Sequence, residues 1–464
     1  MLENRSFDHM LGFLYTAEGN VAPSGAAFDG LTGKESNPDQ NGNPVLVSQA
    51  TSSRPNLYFL PGADPGEGYA ATNSQLFGAA GPSAQPTNAG FVTNYSSTLA
   101  WESRDPSWSV LPGTVAPKIM VMFTPETLPV LSALARGFAI CDQWFSSVPT
   151  ETLPNRAFAC AATSQGHMDD KAKTFTSPSI FGLLSNKGTS WTIYGYDSPA
   201  LTRQLFSEIT QADEAHFGLF TDFQSAAAQG TLAAFSFLEP SWESTGNSQH
   251  PNYDVALGEQ LLHDVYYALR NGPAWASTLF VITYDEHGGC YDHVPPPGGA
   301  VRPDASLGEF GFDFTRFGVR VPALLVSPLI EPGTIFRAPA GGAPFDHTSV
   351  LRTVELRWGL PSLTARDAAA PDIGAALTLA VPRADDPLAG VTVPVSGQAG
   401  PSAGLPSHLL KVHAELVSQL VVPGTAEETP NLRTSADYTA YIRSRTAAWQ
   451  QARARGAGGY RSQA

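Results

Sequence analysis

Residues 281–297, VITYDEHGGCYDHVPPP, place two adjacent carboxylates, Asp285 and Glu286, where an apolar run meets a pair of glycines. Carboxylates at the end of a strand are hard oxygen ligands at the sheet edge where open α/β folds bind their ligands. A second such pair, Glu3-Asn4, stands at the start of the sequence. Together they offer three carboxylates and an amide oxygen, a set that suits a hard or borderline divalent cation. Each pair alone reads more plainly as a cap or a solvated turn.

The turn SSVPTETLPNR, residues 146–156, adds a hydroxyl. Thr152 lies two residues before Pro154, beside a helix start, and helix N-termini favour anions. A threonine hydroxyl is a weak nucleophile until a base or a metal lowers its pKa. A cation on the oxygen ligands would do so and would offset charge on a transferring phosphoryl group. The plainer alternative is that Thr150 or Thr152 caps the helix. His250 in NSQHPNYD and His347 in FDHTS each precede a helix among polar residues. That placement suits phosphate contact or proton donation to a leaving group, although loop histidines are more often structural. His9, His167, His287 and His293 are weaker candidates. His216, His263, His408 and His413 read as helix-surface residues.

The elements that must hold these groups follow from periodicity. A strand end and a short helix capped by Ser6 or Asp8 occupy residues 1–14. Residues 15–112 read as loop, with Tyr58, Phe59, Tyr69, Phe77, Phe91, Tyr95, Trp101 and Trp108 pinning it or lining an apolar pocket. Helices are predicted from near Leu128 to Phe138 and over 154–163, 253–271, 349–359, 405–421 and 434–454. Thr348 or Ser349 is expected to cap the fourth of these. Strands are predicted over 141–148, 190–196, 232–238, 278–284 and 319–327, and residues 361–403 read as loop. Strands alternating with helices predict an α/β fold with a mostly parallel sheet covered on both faces.

Composition narrows the function. A net charge of -15 over 464 residues lacks the basic footprint of a nucleic-acid binder and disfavours adsorption to anionic membranes. Cys141, Cys160 and Cys290 match no zinc spacing and read as small buried apolar groups. No apolar run reaches the roughly 18 residues of a membrane-spanning helix, and no signal peptide is visible. Cellular location is left open.

Several stretches together carry a family resemblance: MLENRSFDHMLGFL, FSSVPTETLPNRAFACAATSQG, HPNYDVALGEQLLHDVYYALRNGPAWASTLFVITYDEHGGCYDHVPPP and PFDHTSVLRTVELRWGL. They resemble the bacterial phospholipase C and acid phosphatase phosphoesterases, which are related to the plant non-specific phospholipases C. The resemblance implies an alkaline-phosphatase-like fold. It implies a single phosphoesterase domain over 1–464, with a loop-rich insertion at about 15–112 and C-terminal helices at about 405–454. It implies that Glu3, Asn4, Thr152, Asp285 and Glu286 hold one divalent metal ion, with Ca, Mg, Mn and Zn all open. Thr152 would be the nucleophile, and His250 and His347 the phosphate-binding and leaving-group histidines. The implied activity is metal-dependent phosphoric ester hydrolysis. A phospholipase C would yield diacylglycerol and a phosphorylated head group through a phosphothreonine, with transient contact at a membrane surface. An acid phosphatase on soluble monoesters, or a truncated non-catalytic relative, are the alternatives. The sequence departs from the pattern in two places near the site. The hydrophobic strand that usually precedes ENRSFDH is apparently missing, and Glu67 stands where relatives usually carry histidine.

Overall fold

The computed structural model describes residues 1–78, 81–82, 85–104, 109–400, 404–425, 429–456 and 458–460. Trp108, one of the candidate pocket aromatics, lies outside them. The chain builds an α/β structure around two main sheets. In one, Phe217–Leu219, Trp191–Gly195 and Phe235–Leu238 run parallel in that order. In the other, Thr334–Ile335, Ala139–Ile140, Ala323–Val326 and Phe280–Thr283 lie side by side. Only the first of those pairings is parallel, so this sheet is mixed and the mostly parallel expectation holds for the first sheet alone.

Met1 and Leu2 lie between the two sheets. The Met1 amine donates to Leu238 O (3.1 Å), Leu2 N–H donates to Thr283 O (2.8 Å), and Leu2 bridges Tyr284 in parallel. Behind them an apolar cavity of about 410 Å³ separates Phe235–Leu238 from Phe280–Thr283. Each of these strands is the last of its sheet on that side, so unpaired backbone groups face the gap. Burial pulls the Met1 amine down to about 5, because charging it there forfeits hydration. A base held low in the folded state costs stability as pH falls from about 8 towards 5.

The helix Phe7–Leu11 follows, capped by Ser6, whose Oγ accepts from His9 N–H (3.2 Å). Buried Arg320 anchors it. Arg320 donates to Asp8 Oδ1 (2.9 Å), Asp292 Oδ1 (2.9 Å), Asp29 O (2.9 Å) and Asp142 O (2.8 Å). Burial pulls the His293 imidazole down, but the Asp8 and Asp29 carboxylates beside it raise it to about 10. Asp292 and His293 thus fix the loop before the prolines. Arg320→Met would leave Asp8 and Asp292 buried without their partner, an expected loss of about 3–5 kcal/mol in urea unfolding. A loss under about 1 kcal/mol would show that the network is replaceable.

The later helices keep close to expectation: Pro129–Gly137, Val255–Arg270, Thr348–Trp358, His408–Ser418 and Ser435–Ala454. Pro129 opens its helix, where a missing N–H costs nothing. Buried Glu259 caps that helix from outside, accepting from Val130 N–H (2.7 Å) and Leu131 N–H (3.0 Å). Neither Thr348 nor Ser349 caps Thr348–Trp358: Asp346 Oδ1 does, accepting from the N–H (3.1 Å) and the hydroxyl of Thr348.

Three further expectations are corrected. Residues 141–148 make isolated bridges at Trp144 and Phe145, and the strand is the two-residue Ala139–Ile140. The 15–112 region contains the helices Tyr69–Phe77 and Phe91–Glu102; the first buries Thr72 and Gln75 beside Leu76 and Phe77, which blurs its apolar period. His413 is fully buried against Gln204, not on a helix surface.

Candidate active site

The turn before the helix Thr152–Ala161 is shaped by Asn155. Its Nδ2 donates to Val148 O (3.1 Å), Thr150 O (2.9 Å) and Glu151 O (3.0 Å), and its Oδ1 accepts from Val148 N–H (3.0 Å). The chain is thereby folded back so that Thr152 opens the helix, two residues before the expected start. Neither candidate threonine caps it. Thr150 donates to Met168 O (2.7 Å), and Thr152 Oγ1 donates to Asn4 Oδ1 (3.2 Å). Asp170 takes the first free helix N–H instead, that of Leu153 (2.7 Å).

Asn4 adopts φ 56°, the left-handed region that asparagine tolerates better than most residues. Its N–H donates to Asp285 Oδ1 (3.0 Å), and its Nδ2 donates to Glu67 Oε2 (2.6 Å). Glu67 therefore orients the amide so that Oδ1 faces Thr152. Gly288 packs directly on Asn4: a Cβ there would meet Asn4 O at 2.0 Å. That contact explains the glycine after Asp285-Glu286-His287.

Asp285 is held on all sides. Arg156 grips Oδ2 with Nε (3.0 Å) and Nη2 (2.9 Å), while Oδ1 also accepts from Glu286 N–H (2.8 Å). Arg156 is fully buried and stacks over Trp242, 4.5 Å from its ring centre. Glu286 accepts from Gly288 N–H at Oε2 (2.7 Å), and its buried Oε1 has no partner among the described residues. Burial, then repulsion from Asp285, holds its carboxyl well above the usual range. Burial likewise pushes Glu3 up to about 7.

The two histidines separate. His250 lines a cavity of about 220 Å³ together with Thr152, Glu3, Asp64, Glu67 and Asp170. Burial alone would pull its imidazole down, but Asp64 and Glu3 outweigh that and raise it. His347 is not among the residues lining this cavity. Its Nε2 donates to Asp285 O (2.6 Å), and its Nδ1 accepts from Trp144 Nε1 (3.4 Å). Both ring nitrogens are engaged, so here His347 braces the Asp285 backbone.

The donors are of the kind a divalent cation takes, but among the described residues Glu3, Asp285 and Glu286 do not bring three ligand atoms within 4.8 Å of one another. Glu286 Oε1 is an orphaned buried carboxylate oxygen, and Asn4 Oδ1 accepts from the Thr152 hydroxyl at the start of its helix. Glu3 is buried beside them, whereas both Asp285 oxygens already accept from protein donors. The sequence had pointed to the ligand pairs, Thr152 and His250. It did not single out Asn155, Arg156 or Asp170, although PNR immediately follows the turn.

A sequence model of the phosphoesterase family matches residues 1–361. The chain belongs to that family. Among its relatives, Non-specific phospholipase C1 of Arabidopsis thaliana is 38% identical over 392 residues, covering 79% of this chain and 68% of that protein. Non-specific phospholipase C3 of the same plant is 36% identical over 417 residues, covering 84% and 74%. Phospholipase C B of Mycobacterium tuberculosis is 27% identical over 434 residues, covering 82% and 77%. The family match takes in every one of the residues Glu3, Asn4, Thr152, His250, Asp285, Glu286 and His347.

Proposed function

We propose that the protein is a phosphoric ester hydrolase of phospholipase C type that uses Thr152 as nucleophile. The observation that carries this reading is the Thr152 hydroxyl, 1% exposed, at a helix start and directed at Asn4 Oδ1, on a residue whose N–H is held by Asp285. Names of relatives supply the substrate class: phospholipase C enzymes of a plant and a bacterium.

A divalent cation held by Asn4, Glu286, Glu3 and Asp285 would lower the Thr152 pKa and offset charge on the phosphoryl oxygens. The chain supplies the rest. Asn155 and Arg156 set the positions of Thr152 and Asp285, so the attack geometry is prepaid in folding. Thr152 Oγ1 passes its proton to water in the cavity and bonds to phosphorus as the bond to the glycerol oxygen breaks. That oxygen leaves with a proton from the His250 imidazolium, which regains one from the water that later attacks phosphorus. The raised pKa of His250 keeps positive charge there. Water then attacks the phosphothreonine, releasing the phosphorylated head group and restoring Thr152. His347 acts indirectly, by bracing Asp285.

A substrate panel tests the reading against the acid phosphatase alternative. With added divalent metal, phosphatidylcholine is expected to yield diacylglycerol at a higher kcat/KM than p-nitrophenyl phosphate yields phosphate. The reverse order would reassign the protein to soluble monoesters. No turnover of either substrate with any of Ca²⁺, Mg²⁺, Mn²⁺ or Zn²⁺ would favour a non-catalytic relative.

A further inference from the structure

The cavity that Thr152 lines carries further carboxylates that a cation at Asn4 and Glu286 does not account for. Asp64, Glu67 and His250 each present one ligand atom, and these atoms all lie within 4.8 Å of one another. The loop around Gly66 and the segment before the helix Val255–Arg270 bring them together. His250 Nδ1–H donates to Pro251 O (2.9 Å), which leaves Nε2 as the atom with a free lone pair, 3.9 Å from Glu67 Oε2, while Asp64 Oδ1 lies 3.9 Å from Nδ1 and would turn towards Nε2 to share an ion. An imidazole oriented through its other nitrogen by a backbone carbonyl is the usual arrangement of a metal-binding histidine.

An independent observation comes from a third element. Glu102, the last residue of the helix Phe91–Glu102, is 2% exposed and lines the same cavity. Its Oε2 is buried without a partner among the described residues, as is Asp64 Oδ1. A buried carboxylate oxygen with no donor is costly and marks a place where a positive group fits. Among the described residues, no Lys or Arg forms an ion pair with Asp64, Glu67 or Glu102. The similar triad of Asp8, Asp292 and His293 is different, because the Arg320 guanidinium fills it.

We propose that Asp64, Glu67, Glu102 and His250 form a second divalent-cation site, distinct from the one at Asn4 and Glu286. Three carboxylates and one imidazole suit Mn²⁺ or Zn²⁺ better than a softer or an all-oxygen-seeking ion. Asp64, Glu67 and His250 would close from their present spacing to ligand distances of roughly 2.0–2.6 Å, and Glu102 would turn in from the wall of the same cavity. Glu67 joins the two sites, since its Oε2 accepts from Asn4 Nδ2. With an ion on Nε2 His250 is neutral, so in the proposed reaction this second ion would replace the imidazolium charge on the leaving-oxygen side of the cavity. That role rests on the phosphoesterase reading; the binding itself does not.

Metal counting on the full chain tests the site. The protein is dialysed against a fixed excess of free Mn²⁺, and bound manganese per chain is measured by mass spectrometry. The expected result is two ions in the native protein and one in the Asp64→Asn/Glu102→Gln variant, while Glu286→Gln loses the other. Manganese anomalous scattering from crystals should place one peak beside His250 Nε2. One ion per chain that Glu286→Gln removes and Asp64→Asn/Glu102→Gln retains would overturn the second site and leave the first standing. One ion with the opposite dependence would support the second site and contradict the first. No bound ion in a variant-free, folded protein would overturn both. Circular dichroism and Tm of each variant exclude unfolding as the cause of a lost ion.

Discussion

Thr152→Ala is expected to lower turnover by roughly four orders of magnitude or more, with the fold intact. The hydroxyl makes one hydrogen bond, to Asn4 Oδ1, and neither caps its helix nor holds the turn. Those structural tasks belong to Asn155 and Asp170. Losing one buried hydrogen bond costs about 1 kcal/mol of stability, far less than the catalytic loss. Thr152→Ser should retain measurable activity because it keeps an attacking oxygen at the same backbone position. Activity in Thr152→Ala within tenfold of the native enzyme would remove Thr152 from the mechanism.

Glu286→Gln is the second large effect. The substitution preserves shape, and the amide oxygen can still accept from Gly288 N–H. It removes the charge that a cation would meet at Oε1. Activity is expected to fall by about 100-fold or more and to resist rescue by added metal. Tm without metal should hold or rise, because a buried unpaired carboxylate has been neutralised. A variant that loses stability but keeps its metal-dependent activity would instead make Glu286 a structural residue.

Much of the scaffold was legible because burial writes a period into the chain. Val255, Leu261, Leu262, Val265, Tyr266 and Leu269 recur at helical spacing and lie on the buried face of Val255–Arg270. The helix Tyr69–Phe77 was not legible, since Thr72 and Gln75 are buried for their hydrogen bonds. The mixed sheet was also hidden: pairing direction depends on how connections run, and local residue patterns do not encode that.

At the site, residue types identified the groups with exposed chemical potential: carboxylates, a hydroxyl and two histidines. They could not distinguish the histidine facing the cavity from the one behind the strand. His250 and His347 both precede helices among polar residues, yet the latter spends both nitrogens on Asp285 O and Trp144. The supporting residues were less visible because their work is done across long sequence separations. Arg156 reaches Asp285, and Glu67 reaches Asn4.

The central claim is that the phosphoryl group passes through Thr152. The direct measurement is an acid quench of enzyme turning over substrate, followed by mass spectrometry of the peptide containing residues 146–156. The account predicts a fraction of that peptide heavier by the phosphoryl group carried over from substrate, with fragmentation placing the addition on Thr152 and with none in Thr152→Ala. A fully active enzyme whose peptide never gains that mass, under conditions where breakdown of the intermediate is rate-limiting, would contradict it.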